Sequence, residues 1–575
     1  MTEADLTAPA PRHRSPVFEL ADRYVERLAE LDPCAATGIG ISAHDDRLTD
    51  YSPTALRERA DLARETLAGL AGLPVYDDAD RVAAEVIRER LGALLLAADA
   101  GDDLRDLNVL ACPLQGIRQV FDLAPTHDAQ ARDNVLQRLR AVPAALESWL
   151  VALQEGLAEG LPAARRQAVA VATQAETFAG RKPGRGWFST YAAGLEADSD
   201  AAGRELGAAG LAADRAYAEA GAWLRDVYAP QADTRDGVRR ERYARFARAW
   251  NGADLDLDGT WDWGWAELER ITELMRVTAE AIEPGAAPAD AKALLDREDR
   301  YQIEGTGPLL EFLTGLTAEA TASMDGTWFD IDPRIRDCEV RLAPEGSAAA
   351  PYYVPVSEDL SRPGSTWYPT RGRTRFPRWW LVSVWYHESV PGHHLQFGTA
   401  AVERERLSRF QRTFGFTSGY GEGWALYAER LMDELGFLAD PSVQLGYLSA
   451  QAMRAARVVL DIGLHLGLTF PPGQGDLSGT RFDAASAAAF LSERALLDAD
   501  FAASEIDRYL GIPGQAISYK VGERVWLAAR DEARARLGDA FDLKDWHMHA
   551  LRLGPMGLDP FATEMASYVG SGDGR

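Results

Sequence analysis

Cysteine and long apolar runs are both scarce in this sequence. The three cysteines, Cys34, Cys112 and Cys338, are an odd number without CxxC spacing, which excludes a disulfide framework and a cysteine-based zinc site. No stretch approaches the roughly 18 uncharged apolar residues of a membrane span, so we expect no membrane partner. Because the amino-terminal residues contain no apolar segment typical of an export signal, we predict a cytoplasmic location.

Positive charge is also in short supply. The chain has 61 Lys and Arg against 88 Asp and Glu, a formal net charge of −27, and such a surface repels nucleic acid. We therefore expect no nucleic-acid partner. With 575 residues, of which 46% are hydrophobic and 26% charged, the chain has the composition of a globular protein with a large core.

Apolar residues recur at three- and four-residue spacing through most of the chain, which predicts a mainly α fold. The predicted helices include Phe18–Leu31, Gly419–Leu435 and one long helix over Ser486–Leu510. The best alternating patterns are Cys338–Leu342 and Tyr352–Pro355, which we expect to pair as a small β element. The fold that we predict is large and helical, with two lobes and a deep central cleft between them.

Histidines are concentrated in the segment WYHESVPGHHLQF, which contains His387, Glu388, His393 and His394. In the usual H-E-x-x-H signature, two histidines four residues apart share a helix face and reach one Zn²⁺, and the intervening glutamate is the general base. Here the fourth position after His387 is a proline, and the next histidines follow six and seven residues on. In an unbroken helix neither spacing brings two imidazoles to one metal ion.

The Pro391–Gly392 pair offers a way to bring the histidines together, because proline and glycine break or bulge a helix. If the two residues act as an insertion, His393 returns to the position of the second ligand, and Glu388 remains the candidate base. We therefore predict a break at this pair. His394 is the alternative metal ligand.

A third ligand comes from the segment SGYGEGWALYAERL, where Glu422 follows a glycine-rich turn at the start of a helix. Two histidines and a glutamate leave a fourth position for water, as in catalytic zinc sites. One Zn²⁺ per chain is the predicted cofactor, although such a site also accepts Mn²⁺ or Co²⁺. Glu429, seven residues later on the same face, is either a substitute ligand or a partner of a ligand. An acid at a helix start also simply favours the helix dipole, which is the alternative for Glu422.

Two further segments offer residues for substrate binding and catalysis. Arg457 and His465 share one helix face, where Arg457 suits a substrate carboxylate and His465 a developing oxyanion; the alternative is an internal network that braces the helix. In QAISYKVG, Tyr519 is a candidate oxyanion stabiliser or a packed aromatic, and Lys520 is a candidate substrate contact. Arg362, in a loop-rich stretch, is either part of the substrate-binding wall or an ordinary surface residue.

The segments HESVPGHHLQ, EGWALYAE, RVVLDIGLH and GQAISYKVG resemble the signature blocks of the bacterial family called domain of unknown function 885. This family is similar to the zincin metallopeptidases, with H-E-x-x-P-G-H-H in place of H-E-x-x-H. The resemblance implies a zincin-like fold in which His387, His393 and Glu422 bind the metal and Glu388 is the base. We predict an amino-terminal helical region, 1–240, and a metallopeptidase-like catalytic region, 241–575, within one integrated fold.

The sequence departs from the family pattern in two places. After GLHLG it continues with LTFPPG where the family has Trp-Ser, and several members begin with an export signal that this sequence lacks. The expected function is a zinc-dependent hydrolase that acts on peptide or related amide bonds, with short peptides or small amides as substrates. The alternatives are a metal-dependent enzyme of small-molecule secondary metabolism, acting on an amide or amino-acid conjugate, and a non-catalytic binding protein on a peptidase scaffold.

Overall fold

The computed structural model describes residues 15–180, 186–195, 199–343, 350–357 and 360–570. Helices account for most of these residues, and the strands among them are few and short. This confirms the predicted mainly α fold. The predicted two-lobed shape and the division of the chain at residue 240 stay predictions.

Many helices begin at a Ser or Asp whose side chain accepts a hydrogen bond from a backbone N–H of the first turn, often with proline next. Ser15 and Ser52 cap helices that start with proline, and Asp77 and Asp128 cap two others. The helices of the first half are α1 (Pro16–Leu31), α2 (Pro33–Gly38), α3 (Pro53–Leu70), α4 (Asp78–Asp99), α5 (Pro113–Leu123), α6 (Ala129–Ala158), α7 (Arg165–Ala179), α8 (Trp187–Gly194), α9 (Asp200–Trp223), α10 (Arg239–Asn251), α11 (Leu257–Ile282) and α12 (Pro288–Arg297).

The helices of the second half include those that position the candidate site. They are α13 (Thr306–Met324), α14 (Arg378–Glu388), α15 (His393–Val402), α16 (Arg409–Thr413), α17 (Ser418–Glu434), α18 (Pro441–Leu466), α19 (Ala484–Arg494), α20 (Ala499–Gly511), α21 (Ser518–Leu537), α22 (Leu543–Arg552) and α23 (Leu558–Ala566). The single helix predicted over Ser486–Leu510 is wrong, because the chain breaks between α19 and α20. Leu496 there has a φ of 56°, in the left-handed region, so the helix cannot continue through it.

The strands form two small sheets. β1 (Gln302–Glu304) pairs antiparallel with β5 (Arg375–Pro377). In the second sheet, β4 (Gly364–Tyr368) lies between β2 (Cys338–Leu342) and β3 (Tyr352–Val354), parallel to β2 and antiparallel to β3. The predicted direct pairing of β2 with β3 is therefore wrong. The residues of β4 lie in a stretch rich in proline and glycine, and their local sequence carries no signal of which strands they join.

The larger hydrophobic core includes residues from both ends of the chain. Val17 and Ile87 near the amino terminus belong to the same buried cluster as Trp424, Leu460 and Trp526. A second cluster lies among α5 to α9 and includes buried aromatic residues such as Trp149 and Tyr217. The larger core thus crosses residue 240.

Five helices surround the candidate site. α14 packs against α17 and α18, α15 packs against α17, and α17 packs closely along α21. All but a few residues of α18 are buried. Within the described ranges, no helix combines the length and the apolar character needed to cross a membrane.

Candidate metal centre

The chain breaks between the two halves of the histidine motif. α14 ends at Glu388 and α15 begins at His393, with the connecting residues in a tight turn. The N–H of Gly392 donates to the carbonyl of Tyr386 at 3.1 Å, which closes this turn. The break at Pro391–Gly392 predicted from the sequence is confirmed.

Two features hold the turn in place. A Cβ atom added at Gly392 would lie 2.0 Å from the carbonyl oxygen of His387 and 2.4 Å from that of Tyr386, so no larger residue fits without a shift of the backbone. The indole N–H of Trp424 on α17 lies 2.9 Å from the carbonyl oxygen of Pro391 and 3.1 Å from that of Gly392, and donates to both. The turn is therefore fixed from both sides by backbone groups and a buried indole.

The turn brings His387 and His393 face to edge, with ring centroids 4.8 Å apart. One carboxylate oxygen of Glu422, Oε2, lies 3.2 Å from Nε2 of His387 and 3.5 Å from Nε2 of His393. One potential ligand atom from each of His387, Glu388 and His393 lies within 4.8 Å of the other two. The structure thus gathers the three predicted ligands and the predicted base in one place.

The donor set fits a divalent cation of the zinc type, which prefers imidazole nitrogen and carboxylate oxygen. Both glutamates have the reach to be the third donor. Glu422 fits better, because the same oxygen contacts both Nε2 atoms, and this leaves Glu388 beside the site as a base. His387, His393 and Glu388 are each less than 9% exposed, so a cation there would be largely shielded from bulk water.

Glu429 orients His387 from behind. Its Oε1 lies 2.8 Å from Nδ1 of His387, and its other oxygen accepts from the hydroxyl of Ser383. Nη2 of Arg454 lies 3.4 Å from the same Oε1. With Nδ1 donating to Glu429, the Nε2 lone pair of His387 faces the site, the arrangement typical of metal-binding histidines.

His394, the alternative ligand, uses both ring nitrogens elsewhere. Its Nε2 donates to the carbonyl of Ile335 at 2.7 Å, and its Nδ1 accepts from the hydroxyl of Tyr353 at 3.1 Å. Burial lowers the pKa of His394 to about 4, so the ring is neutral. The structure therefore joins His393, and not His394, to His387.

The electrostatics of the site favour a cation. Burial alone would lower the pKa of His387, but hydrogen bonds with Glu422 and Glu429 raise it to about 9. Burial likewise opposes ionisation of Glu422, yet the two histidines hold the pKa of its carboxyl well below the usual range. Burial raises the pKa of Glu388. A buried imidazole that two carboxylates stabilise as a cation indicates a negative potential where a metal ion would lie.

Tyr519 lies beside His387, on the first turn of α21. Its ring stacks on that of His387 at 6.2 Å, with 17° between the planes. The guanidinium carbon of Arg457 lies 4.5 Å from the centroid of the Tyr519 ring, on its π face. Tyr519 is partly exposed, and burial raises the pKa of its hydroxyl, so the hydroxyl is protonated and can donate a hydrogen bond.

Lys520 and His465 face inward, away from the site. The ammonium of Lys520 has no exposed surface and contacts Gln451 at 2.7 Å and Glu523 at 2.5 Å. Nε2 of His465 lies 3.0 Å from the carbonyl oxygen of Tyr509, and its Nδ1 accepts from a backbone N–H. In the described part of the chain, neither side chain contacts His387 or His393. For His465 these contacts match the alternative of an internal network that braces α18.

Arg362 lies at the surface, in the loop before β4. Its Nη2 donates to the carbonyl of Pro355 at 2.9 Å, a hydrogen bond within the same loop. Its part in substrate binding stays a prediction.

Several residues of the site were not found from the sequence. Phe397 lies against His393, with ring centroids 5.6 Å apart. The ring of Phe397 also contacts that of Phe416, which is 42% exposed. Arg454 and Arg508 lie near Tyr519. A lone phenylalanine or arginine in a helical chain carries no local signal of function, so only the long-range packing reveals them.

Two solved structures share this fold. A "putative lipoprotein" from Colwellia psychrerythraea superposes with a TM-score of 0.82 at 23% sequence identity, covering 96% of this chain and 99% of its own. A "putative lipoprotein of unknown function" from Shewanella oneidensis has a TM-score of 0.73 at 18% identity, covering 96% and 100%. No curated protein matches the sequence. At these identities the likeness shows the fold alone.

These two structures contradict the predicted cytoplasmic location, because lipoproteins are exported proteins. That prediction is wrong. It was based on the amino-terminal residues alone, and residues 1–14 lie outside the part of the chain that the structure describes.

The sequence blocks that contain His387, Glu388, His393 and Glu422 lie well inside a longer region of family similarity. The family is described as "Bacterial protein of unknown function (DUF885)", and its model matches residues 33–565. This match covers nearly the whole chain, including every residue of the candidate metal centre. The chain belongs to the DUF885 family.

Proposed function

We propose that this chain is a zinc-dependent hydrolase of peptide or related amide bonds, built on a zincin-like site. The observation that carries the proposal is the position of Glu422 Oε2, which lies 3.2 and 3.5 Å from the Nε2 atoms of His387 and His393. His₂Glu is the donor set of catalytic zinc sites that keep one position for water or substrate. His387, His393 and Glu422 would hold the ion.

Each side chain around the ion has a role in this proposal. Zinc, when bound, supplies Lewis acidity that polarises a carbonyl and makes water a stronger nucleophile near neutral pH. Glu388 removes the proton of the attacking water and passes it to the leaving amine. Tyr519 donates a hydrogen bond to the oxygen that becomes negative during the attack. Glu429 fixes the ring of His387 and so the direction of its Nε2.

We also propose that the chain works outside the cytoplasm. The support is the lipoprotein description of the two structures that share its fold.

The proposed function is tested with a mixture of short synthetic peptides and the zinc-loaded protein, with products identified by mass spectrometry. We expect cleavage by the wild type, loss of cleavage on chelation, and recovery on adding zinc. Glu388→Gln removes the base but none of the three ligands, so we expect unchanged zinc content and a loss in rate of about 10²- to 10⁴-fold. Absence of cleavage by the zinc-loaded wild type, or full activity of Glu388→Gln, would contradict the proposal.

A further inference from the structure

Three arginines lie together near Tyr519. Arg457 lies 4.5 Å and Arg454 lies 5.9 Å from the centroid of the Tyr519 ring, both from α18. Arg508 comes from α20, and its charge acts on the Tyr519 hydroxyl. We call Arg454, Arg457 and Arg508 the arginine cluster.

The charge of the arginine cluster is only partly balanced. Arg457 and Arg508 share one carboxylate, Glu505, at 2.6 and 3.2 Å, and Arg454 lies 3.4 Å from Glu429. Three guanidinium groups therefore contact two carboxylates within the described part of the chain.

Hydrogen-bond donors of the cluster are left over as well. Nε and Nη1 of Arg454 and Nε of Arg508 are buried, and none of the three has an acceptor among the described residues. The side chain of Arg454 is nearly inaccessible, whereas that of Arg508 is 20% exposed. Buried charged donors without acceptors are costly, so these three call for a further acceptor, such as a ligand, an ion or an ordered water.

We propose that the arginine cluster binds a carboxylate of the substrate, so that the enzyme prefers substrates with a carboxylate one or two residues beyond the bond that it cleaves. The proposal rests on the proposed hydrolase function and names its substrate class. Arginine matches a carboxylate with paired N–H donors, and Arg508 is the most exposed member of the cluster, with its Nη2 donating to Gln515 at 2.6 Å. An extended chain spans about 3.5 Å per residue. One or two residues therefore bridge the gap that the Tyr519 ring fills between the arginine cluster and His387.

A carboxylate of this kind has two possible sources, the carboxyl terminus of a peptide or an acidic side chain. Three N-acetylated alanine tetrapeptides separate them: the free acid, its carboxamide, and a carboxamide with glutamate as the last residue. We expect the zinc-loaded wild type to cleave the free acid with a kcat/KM at least about tenfold above that of the plain carboxamide. Recovery of the rate with the glutamate carboxamide would assign the side chain as a sufficient source.

Arg508→Gln tests the cluster without touching Glu429 or the metal ligands. We expect it to remove the preference for the free acid over the plain carboxamide, whereas Arg508→Lys retains part of the preference. The matched control is Arg166→Gln, which removes an ion pair of 3.3 Å with Asp507, the residue before Arg508. This control should keep the full preference.

Binding gives a readout that does not require hydrolysis. N-acetyl-alanyl-alanine and its carboxamide are titrated into zinc-free protein by calorimetry, and we expect the acid to bind at least about tenfold more tightly to the wild type and no more tightly to Arg508→Gln. Equal binding of acid and amide by the wild type, or a preference that survives Arg508→Gln, overturns the inference. If the acid binds selectively but no peptide is cleaved, the proposed hydrolase fails while the carboxylate site stands.

Discussion

Replacing Gly392 with alanine tests the local geometry that brings the two histidines together. A Cβ atom at this position would lie 2.0 Å from the carbonyl oxygen of His387 and 2.4 Å from that of Tyr386, where ordinary contacts begin near 3.4 Å. Both neighbours are backbone atoms that a side-chain rotation cannot move. The turn must therefore open by roughly 1 Å, and overpacking of this kind typically costs about 1–3 kcal/mol in the free energy of unfolding.

The same shift displaces His393 relative to His387. Because metal–ligand distances are tolerated only within about 0.2 Å, we expect the affinity for zinc to fall at least about 100-fold in Gly392→Ala. The assay is competition for zinc with a chromophoric chelator, together with thermal unfolding with and without zinc. A zinc-dependent rise of the unfolding temperature should be present in the wild type and absent in the variant.

The matched control is Gly315→Ala, in the exposed part of α13, where an added Cβ meets no atom within 4 Å. It should bind zinc as the wild type does and gain about 0.5–1 kcal/mol from the better helix propensity of alanine. Wild-type zinc affinity in Gly392→Ala would refute the reasoning, because the turn would then not be needed to align the histidines.

Three further predictions concern residues around the site and in the core. Glu429→Gln weakens the orientation of His387, so we expect zinc affinity to fall about 10- to 100-fold while the fold persists, measured by the same chelator competition. Trp424→Phe keeps the aromatic ring but removes the N–H that holds the turn, and should cost about 1–3 kcal/mol in urea unfolding. Burial lowers the pKa of His547 to about 3. Because the unfolded chain binds this proton near pH 6.5 and the folded chain does not, stability should fall by about 1.4 kcal/mol per unit as the pH drops below 6.5. Urea unfolding at pH 7 and at pH 5.5 measures this loss of stability. We expect the loss to be smaller in His547→Gln than in the wild type, because the variant lacks the titrating imidazole.

The histidine motif shows how far the sequence goes. The spacing of His387 and His393 is incompatible with one unbroken helix, and it predicts the break at Pro391–Gly392 that the structure has. This prediction is possible because helix geometry and the properties of proline and glycine are local. The preference for His393 over His394 depended on the resemblance. Its physical reason is that Ile335 and Tyr353 occupy both nitrogens of His394, and they come from distant parts of the chain.

Other features depend on packing that the sequence does not display. Arg457 was singled out from its helix face, but Arg508, on another helix, carries no motif and reaches the site only because α20 packs against α18. The role of Lys520 could not be read from its neighbours either, because Glu267, which pairs with it at 2.9 Å, lies far away in the sequence. Side chains that meet across the core are therefore found only from the structure.

The central claim is that His387, His393 and Glu422 form one zinc site, and the most direct test is the metal content of the purified protein. The protein is prepared without added metal or a metal-affinity column, then analysed by mass spectrometry before and after exposure to zinc. We expect about one zinc per chain in the wild type and in Glu388→Gln, and none in His393→Ala or Glu422→Ala. No zinc in the wild type after exposure, or full zinc content in both ligand variants, would contradict the claim.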